Sequence, residues 1–276
     1  MGKDKMIKIS IIIPTVNRAI DLEKTLLSIT KQTLSKKLFE VIIVDNGSTD
    51  NTNDIINTYK KKFIHFNSIY DNTPGLHIGR HKGLLNFKAE ILTFIDDDIE
   101  ATPIWLESIL HSFEDKNVVL VGGKNLPKFE ITPPDWIVDM WKKRNNKRVI
   151  ESLSILDLGD EILEISPFYV FGCNFSIKKS ILIKAGGFHP DGMPQELIKY
   201  RGDGESHVSS FILNKGYKTL YNPKASVFHK CSLIRMTQDY FNIRAFNQGI
   251  SVSYTMIRSG NKNNLRYLKW RLSFFL

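Results

Sequence analysis

Three successive carboxylates, Asp96, Asp97 and Asp98, are the residues of this sequence with the clearest capacity for chemistry. Carboxylates held side by side raise each other's pKa, and a divalent cation relieves that cost. Mg²⁺ and Mn²⁺ prefer oxygen ligands and often join one or two carboxylates to the phosphates of a substrate. The run therefore indicates a metal and phosphate site. Considered alone, three aspartates fit an exposed acidic turn equally well.

The elements that must position this run decide between the two interpretations. Short apolar segments rich in β-branched residues predict buried strands at 8–13, 40–44, 90–95 and 118–122. Helical spacing of apolar residues between them predicts helices at 21–30, 53–61, 76–87 and 104–113. This alternation predicts an α/β fold with a mostly parallel sheet flanked by helices. Ligands of such sheets bind beyond the carboxyl ends of the strands, so residues 14–18, 45–50 and 96–98 are expected to share one site.

Composition narrows the class of protein. With 276 residues, 42% hydrophobic and 24% charged, the chain has the composition of a soluble globular protein. It contains neither a signal-peptide pattern at its start nor an apolar run of about 18 residues that would span a membrane. Its two cysteines form no zinc-type pair and suit a reducing compartment. These features predict a cytoplasmic protein.

The net charge of +9 is concentrated toward the end of the chain. From Lys230 onward there are eight basic residues and one acidic residue, Asp239. Such an excess favours an anionic partner, and nucleic acid, anionic lipid and a phosphorylated substrate all remain open. Residues 262–276 mix basic with large apolar residues, which is typical of a helix that lies on a membrane surface. A helix packed on the rest of the protein, or a solvated tail, explains the same residues. No recognised nucleic-acid-binding module accompanies the charge.

Four segments, in order, resemble the family 2 glycosyltransferases of GT-A fold. They are "SIIIPTVNR" from residue 10, "EVIIVDNGSTDNT" from residue 40, "GLHIGRHKG" from residue 75 and "ILTFIDDD" from residue 91. The resemblance implies that the nucleotide-sugar donor is bound by Pro14, Thr15, Asn17, Arg18, Asp45, Asn46, Gly75, Arg80, Asp96 and Asp97. It also implies a Mn²⁺ or Mg²⁺ ion held by Asp98, Asp96 and His229. Two positions depart from the family pattern: His81 replaces the usual Asn, and Gly79 replaces a frequent Ala.

The second half of the chain continues the resemblance. "AGGFHPDG", the pair Gly216-Tyr217 and "PKASVFH" match family segments that surround the catalytic acid. Counting back from Gly216 places that acid at Glu205, while Asp203, two residues earlier, is the alternative. A carboxylate there would accept the proton of the attacking acceptor hydroxyl. Direct displacement with one base would invert the anomeric configuration.

The residues that would contact the acceptor follow less directly from the sequence. Trp136 and Trp141 lie in an irregular segment, and aromatic rings commonly stack on sugars, but core packing explains a tryptophan equally well. "FGCNFSI" (171–177) resembles the family segment that lines the acceptor side, which implies acceptor contact by Asn174.

Together these features predict a metal-dependent inverting glycosyltransferase. By the family resemblance its donor would be a UDP-sugar, although guanosine or thymidine diphosphate would use much the same residues. Its acceptor would be a glycan or lipid-linked hydroxyl in bacterial surface polysaccharide synthesis. Residues 1–123 are expected to form the donor-binding half of the domain, 124–230 the acceptor and base half, and 231–276 a basic helical extension. The protein would be cytoplasmic or peripheral at the inner face of the membrane.

A non-catalytic sugar-binding protein of the same fold is the alternative. The glycine-rich loops of nicotinamide oxidoreductases and nucleotidyltransferases are missing after the first strand, and haloacid-dehalogenase-like phosphatases carry their aspartates there.

Overall fold

A computed structural model of the chain describes residues 6–259 except residues 144 and 146. Its strands are β1 (Ile9–Thr15), β2 (Phe39–Asp45), β3 (Phe66–Tyr70), β4 (Ile91–Ile95), β5 (Ile99–Ala101), β6 (Val118–Gly122), β7 (Asn125–Phe129), β8 (Arg148–Ile150), β9 (Ile155–Asp157), β10 (Leu163–Glu164), β11 (Asn174–Lys178), β12 (Lys218–Tyr221) and β13 (Val227–Cys231). Its α-helices are α1 (Ala19–Thr30), α2 (Thr52–Lys60), α3 (Leu76–Gly83), α4 (Trp105–Ser112), α5 (Asp135–Met140), α6 (Lys179–Ala185), α7 (Ser206–Asn214) and α8 (Gln238–Ser259). The predicted membrane-surface segment, 262–276, lies outside the described residues.

The larger of two sheets has eight strands in the order β10-β12-β6-β11-β4-β1-β2-β3. At its centre β1 runs parallel to both β2 and β4. Every residue of β1 and β2 is buried, because helices cover both faces of the sheet. Ile11 and Ile13 join the apolar core on the face that α1 and α4 cover, whereas Ile12 joins the core on the opposite face. Because β1, β2 and β4 run parallel, their carboxyl ends lie at one edge of the sheet.

A smaller sheet of five strands, in the order β5-β13-β7-β9-β8, stands beside that edge. Its strand β5 begins at Ile99, directly after the acidic run, and pairs antiparallel with β13. This pairing brings His229 opposite Ile99. The second sheet therefore closes the far side of the space into which the acidic run projects.

The four strong strand predictions are confirmed, as β1, β2, β4 and β6. The predicted helix at 76–87 is shorter and ends at Gly83. The larger sheet is mixed, because β11 is antiparallel to both of its neighbours and joins the second half of the chain to the first. The short strands of the second sheet were not predicted. Among the described residues, no helix has the length and apolar character needed to cross a membrane.

Gly83 shows how closely α3 packs on the central strand, and it supports a prediction about stability. A Cβ atom at Gly83 would lie 2.5 Å from Cγ2 of Ile12, which is fully buried in β1. Gly83→Ala is expected to lower the free energy of unfolding by about 1–3 kcal/mol, the usual cost of overpacking a core.

Gly249→Ala is the matched control, since a Cβ there meets nothing within 4 Å on helix α8. That variant should gain up to about 1 kcal/mol from helix propensity. Urea denaturation of both variants measures the difference, and equal effects would contradict the packing argument.

Candidate active site

The carboxyl ends of β1, β2 and β4 open onto one cleft, as expected at the ligand-binding edge of a parallel sheet. The cleft has a volume of about 470 Å³. Its walls include most of the predicted donor and metal residues, namely Pro14, Thr15, Arg18, Asn46, Gly75, Asp96, Asp97 and Asp98. The three loops that the sequence predicts to share a site therefore do meet.

Asp97 is buried in the wall of this cleft and is held by two residues that follow β1. The Thr15 hydroxyl donates to Asp97 Oδ2 at 2.7 Å, and Arg18 Nη1 lies 3.1 Å from Asp97 Oδ1. Burial raises the pKa of Asp97 to about 7, although the charge of Arg18 opposes this shift. Because both oxygens are engaged, Asp97 fastens the end of β4 to the loop after β1.

Asp98 is surrounded by positive and imidazole groups. Arg18 Nη2 lies 2.8 Å and Arg235 Nη1 3.4 Å from its Oδ2, and His229 Nε2 lies 3.3 Å from its Oδ1. Burial raises the pKa of Asp98, but the hydrogen bond to His229 and the charges of His229, Arg18 and Arg235 outweigh it. The pKa therefore lies well below its ordinary value. Asp98 is an anion at neutral pH.

The surroundings of Asp98 fit a hard divalent cation. His229 Nδ1 is a buried atom without a hydrogen-bond partner among the described residues, and the contact of Asp98 Oδ1 is the one with His229 Nε2 at 3.3 Å. Asp96, Cys173 and His229 each offer a ligand atom within 4.8 Å of the others. Burial raises the pKa of the Cys173 thiol well above its usual range, so sulfur stays protonated and is a poor ligand here. Carboxylate oxygens with one imidazole suit Mn²⁺ or Mg²⁺.

Asn17 and Asp45 shape the loops beside the cleft. Asn17, in the left-handed conformation with φ 52°, accepts a hydrogen bond from the Thr49 backbone N–H at 2.7 Å through Oδ1. Asp45 Oδ1 accepts one from the Ser48 N–H at 2.8 Å. The bond to Asn17 joins the loop after β1 to the loop after β2, and the bond to Asp45 fixes the turn within the second loop. The wall that the resemblance assigns to the nucleotide base is thereby held in place.

Arg80 connects the two halves of the site. Its side chain is 1% exposed, and its Nη2 donates to Asp96 Oδ1 at 3.1 Å and to the Gly172 carbonyl at 3.0 Å. Its Nη1 lies 3.8 Å from Glu205 Oε2. The guanidinium therefore stands between the acidic run and the predicted base.

Glu205 directly precedes α7 and is partly open to solvent, with 30% of its side chain exposed. His77 Nε2 lies 3.2 Å from its Oε2. Burial raises the pKa of Glu205, but the hydrogen bond to His77 and the charge of Arg80 outweigh it and hold the pKa well below its usual range. Glu205 is a carboxylate at neutral pH and can accept a proton.

Asp203, the alternative base, is buried and fully engaged. His189 Nδ1 forms a short hydrogen bond with its Oδ1, and the Thr255 hydroxyl donates to its Oδ2 at 2.5 Å. Thr255 lies on α8, and Ser251, one turn earlier, donates to the Gly202 carbonyl at 2.9 Å. These contacts place Asp203 as an anchor between α8 and the loop that carries Glu205.

The predicted acceptor residues lie in packed regions. Asn174 is 1% exposed; its Oδ1 accepts from Trp105 Nε1 at 3.0 Å, and its Nδ2 donates to the Asn125 side chain and the Ala225 carbonyl. An amide that is buried and satisfied at both ends does not contact an acceptor, so this expectation is corrected. Trp136 and Trp141 pack against a small apolar core beside α5, and Trp136 meets Phe241 edge to face at 4.9 Å. Both tryptophans therefore contribute to core packing, which was the alternative to acceptor contact.

Three residues of the site were missed by sequence reasoning. Arg235 lines the cleft and contacts Asp98, His77 contacts Glu205, and Thr255 holds Asp203. His77 stands at a variable position of the third matching segment, and Arg235 and Thr255 lie beyond the last matched motif. Only the excess of basic residues after Lys230 hinted at a role for that region.

His81, which departs from the family pattern, supports a prediction about pH. Its Nε2 accepts a hydrogen bond from the Phe188 backbone N–H at 3.0 Å. Burial, with the nearby charges of His77 and Arg80, lowers the pKa of His81 from 6.5. When the pH falls below about 6.5, the pKa of histidine in the unfolded chain, His81 binds a proton more readily in the unfolded chain than in the folded one. The free energy of unfolding is therefore unaffected by His81 above about pH 6.5 and decreases on acidification.

His81→Asn keeps an acceptor for the Phe188 N–H and removes the titration. The variant is expected to lose less of its unfolding free energy than the wild type between about pH 7 and pH 5. Urea denaturation across this range measures the slope, and the exposed His111 replaced by Asn is the control that keeps the wild-type slope. An unchanged slope in His81→Asn would show that His81 does not carry this dependence.

The family model for glycosyl transferase family 2 matches residues 10–186. These residues contain the four predicted segments, the acidic run and the loop after β2, whose geometry is described above. The chain belongs to glycosyltransferase family 2.

Two relatives from Haloferax volcanii illustrate the sequence similarity. Glycosyltransferase AglE is 29% identical over 216 residues, which cover 77% of this chain and 64% of that protein. A glucosyl-dolichyl phosphate glucuronosyltransferase is 26% identical over 252 residues, or 88% of this chain and 76% of the relative. The chain thus spans about two thirds to three quarters of the length of these relatives.

Solved structures share the fold. The structure of Staphylococcus aureus TarS 1–349 with UDP-GlcNAc aligns with a TM-score of 0.59 and 20% identity, covering 82% of this chain and 59% of that one. The mannosyltransferase PcManGT from Pyrobaculum calidifontis, in complex with GDP-Man and Mn²⁺, aligns with a TM-score of 0.55 and 20% identity, covering 80% and 56%. The fold is the GT-A fold, as the sequence predicted.

Proposed function

We propose that this chain transfers a sugar from a nucleoside diphosphate donor to a hydroxyl group of a glycan or lipid-linked acceptor. The observation that carries the proposal is the cleft, which gathers the acidic run and two arginines at the ligand-binding edge of the sheet, while Arg80 connects Asp96 of that run to the ionised Glu205. TarS with UDP-GlcNAc shows that a protein of this fold holds a uridine nucleotide, and we propose a UDP-sugar as donor here.

The donor would lie along the carboxyl ends of β1, β2 and β4. The loops after β1 and β2, which Asn17 joins and in which Asp45 fixes a turn, would receive the base and ribose. Arg18 and Arg235 flank Asp98 and would face the diphosphate, whose negative charge increases as the bond to the sugar breaks. Both guanidiniums are already fixed by carboxylates and therefore need little reorganisation.

A Mn²⁺ or Mg²⁺ ion would be held by Asp98 with His229 and Asp96. When bound, it would supply positive charge beside the diphosphate. The contact of the Asp98 carboxylate with His229 and the position of Asp96 within ligand distance of His229 support this assignment. PcManGT, a protein of the same fold, is in complex with Mn²⁺.

Glu205 would act as the base. Its Oε2 is the oxygen that contacts His77, and its Oε1 lies close to Gly172, where a Cβ would approach it to 2.9 Å. An acceptor hydroxyl in this space can give its proton to Oε1 while its oxygen attacks the anomeric carbon. One carboxylate acting in this way inverts the anomeric configuration, and NMR of the product would test the inversion.

For the acceptor we propose a lipid-linked saccharide. The relative that acts on a dolichyl phosphate-linked sugar supports a lipid-linked acceptor. Association with an anionic membrane surface through residues 262–276 would bring the cleft to such an acceptor. Flotation with vesicles of anionic phospholipid, with and without those residues, tests this association.

A donor panel tests the function. Thermal unfolding should rise with UDP and at least one UDP-sugar in the presence of Mn²⁺, and slow transfer of the sugar to water should release UDP. Binding without turnover by any donor or acceptor would favour a non-catalytic sugar-nucleotide-binding protein. The proposal fails if UDP, GDP and TDP and their sugars all leave the melting temperature unchanged.

A further inference from the structure

His77 is a buried histidine in contact with the proposed base. Its side chain is 1% exposed and stacks on Phe188 at a centroid distance of 4.9 Å. Nε2 lies 3.2 Å from Glu205 Oε2, and Arg80 Nη1 lies 3.4 Å from Nδ1. The ring is therefore fixed by packing on its face and by polar contacts at both nitrogens.

The contact with Arg80 determines which nitrogen of His77 carries the proton. A guanidinium can only donate hydrogen bonds, so Nδ1 must accept the one from Arg80. In the neutral ring the proton then resides on Nε2, which donates to Glu205. Arg80 is in turn held by Asp96 and the Gly172 carbonyl. The order of donors runs from Arg80 through His77 to the carboxylate.

We propose that His77 is a positioning residue for catalysis: its Nε2–H fixes one oxygen of Glu205 and leaves the other facing the acceptor hydroxyl. This proposal rests on the proposed function. The backbone is adapted to the contact, because Gly204 has φ +55° and a Cβ there would lie 2.9 Å from His77 Nε2. Any side chain at position 204 would therefore displace the imidazole.

The other charged groups around Glu205 are already paired. Arg80 on α3 has its Nη1 3.8 Å from Glu205 Oε2, and its Nη2 also binds Asp96 at the end of β4. Asp191 is bound by Arg201 at 2.5 Å, and Asp203 is held by His189 and Thr255. The carboxylates of Asp191 and Glu205 thus each have an arginine within 4 Å as a counter-charge. His77 is the group that donates a hydrogen bond directly to Glu205.

Carboxyl ¹³C NMR tests the proposal without an identified acceptor. With Glu labelled at Cδ, the Glu205 signal is assigned by its loss in Glu205→Gln. His77→Leu is expected to raise the Glu205 titration midpoint by about one pH unit or more, since a hydrogen bond to the charged form is lost. His77→Gln, which retains a donor, should remain closer to the wild type.

Two further measurements make the test decisive. In the wild type, ¹⁵N NMR should show His77 protonated on Nε2, and protonation on Nδ1 would overturn the proposal even if the Leu variant does not fold. For UDP-sugar hydrolysis, His77→Leu should lower kcat about 10-fold with KM unchanged. An unchanged Glu205 midpoint and kcat in a folded Leu variant would also overturn it. If Glu205→Gln keeps full activity, the proposed base is wrong instead, whatever the NMR result.

Discussion

Replacing Glu205 by Gln is expected to slow sugar transfer by about 10²- to 10⁴-fold, the range for loss of a general base. The amide keeps the shape of the side chain and can still contact His77, but it cannot accept a proton. Because Glu205 stands across Arg80 from the acidic run, UDP binding in the presence of Mn²⁺ should change little. UDP release from a UDP-sugar measures the first effect, and calorimetric titration with UDP measures the second.

The comparison that isolates Glu205 is Asp203→Asn. Asp203 is held by His189 and by Thr255 of α8, so its loss should act on stability and on the placement of the loop. We expect a decrease of about 1–3 kcal/mol in the free energy of unfolding and a smaller loss of transfer than in Glu205→Gln. If Asp203→Asn abolishes transfer with donor binding intact while Glu205→Gln remains active, the two roles must be exchanged.

Replacing Asp98 by Asn is expected to remove Mn²⁺-dependent donor binding. The substitution takes away the carboxylate that meets Arg18, Arg235 and His229 together. Loss of a partner outside the ligand set already weakens metal sites by about 10- to 100-fold, so loss of a ligand should cost at least that factor in UDP affinity with Mn²⁺. Calorimetric titration of UDP with and without Mn²⁺ measures the change.

Glu100→Gln is the control for this substitution. Glu100 lies on β5, two residues after Asp98, and its carboxylate pairs with Lys128 rather than with a residue of the cleft. The control should bind UDP as the wild type does, and circular dichroism should confirm that both variants fold. Wild-type affinity in Asp98→Asn would remove Asp98 from the proposed metal site.

The sequence predicted strands β1, β2, β4 and β6 of the larger sheet because they are continuous apolar runs that end in turn residues. The second sheet was not predictable in this way. Strands β5, β8 and β9 have three residues each, which is too short for a periodic pattern, and β7 contains Pro127. These strands form because partners distant in the chain pair with them, as β13 pairs with β5 and β7.

The donor side of the site followed from motifs, whereas the acceptor and base side depended on contacts between distant segments. The proposal of Glu205 rather than Asp203 as the base depends on the hydrogen bond that Thr255, 52 residues beyond Asp203, donates to Asp203. Asn174 fits a family segment, but its position on β11 beneath Trp105 and beside Asn125 commits its amide to the core. A local pattern does not reveal such partners.

The measurement that tests the central claim most directly is a calorimetric titration of UDP into the wild-type protein with and without Mn²⁺. We expect saturable binding at one site per chain, strengthened by Mn²⁺ and lost in Asp98→Asn. The absence of binding by UDP, GDP and TDP under both conditions would contradict it.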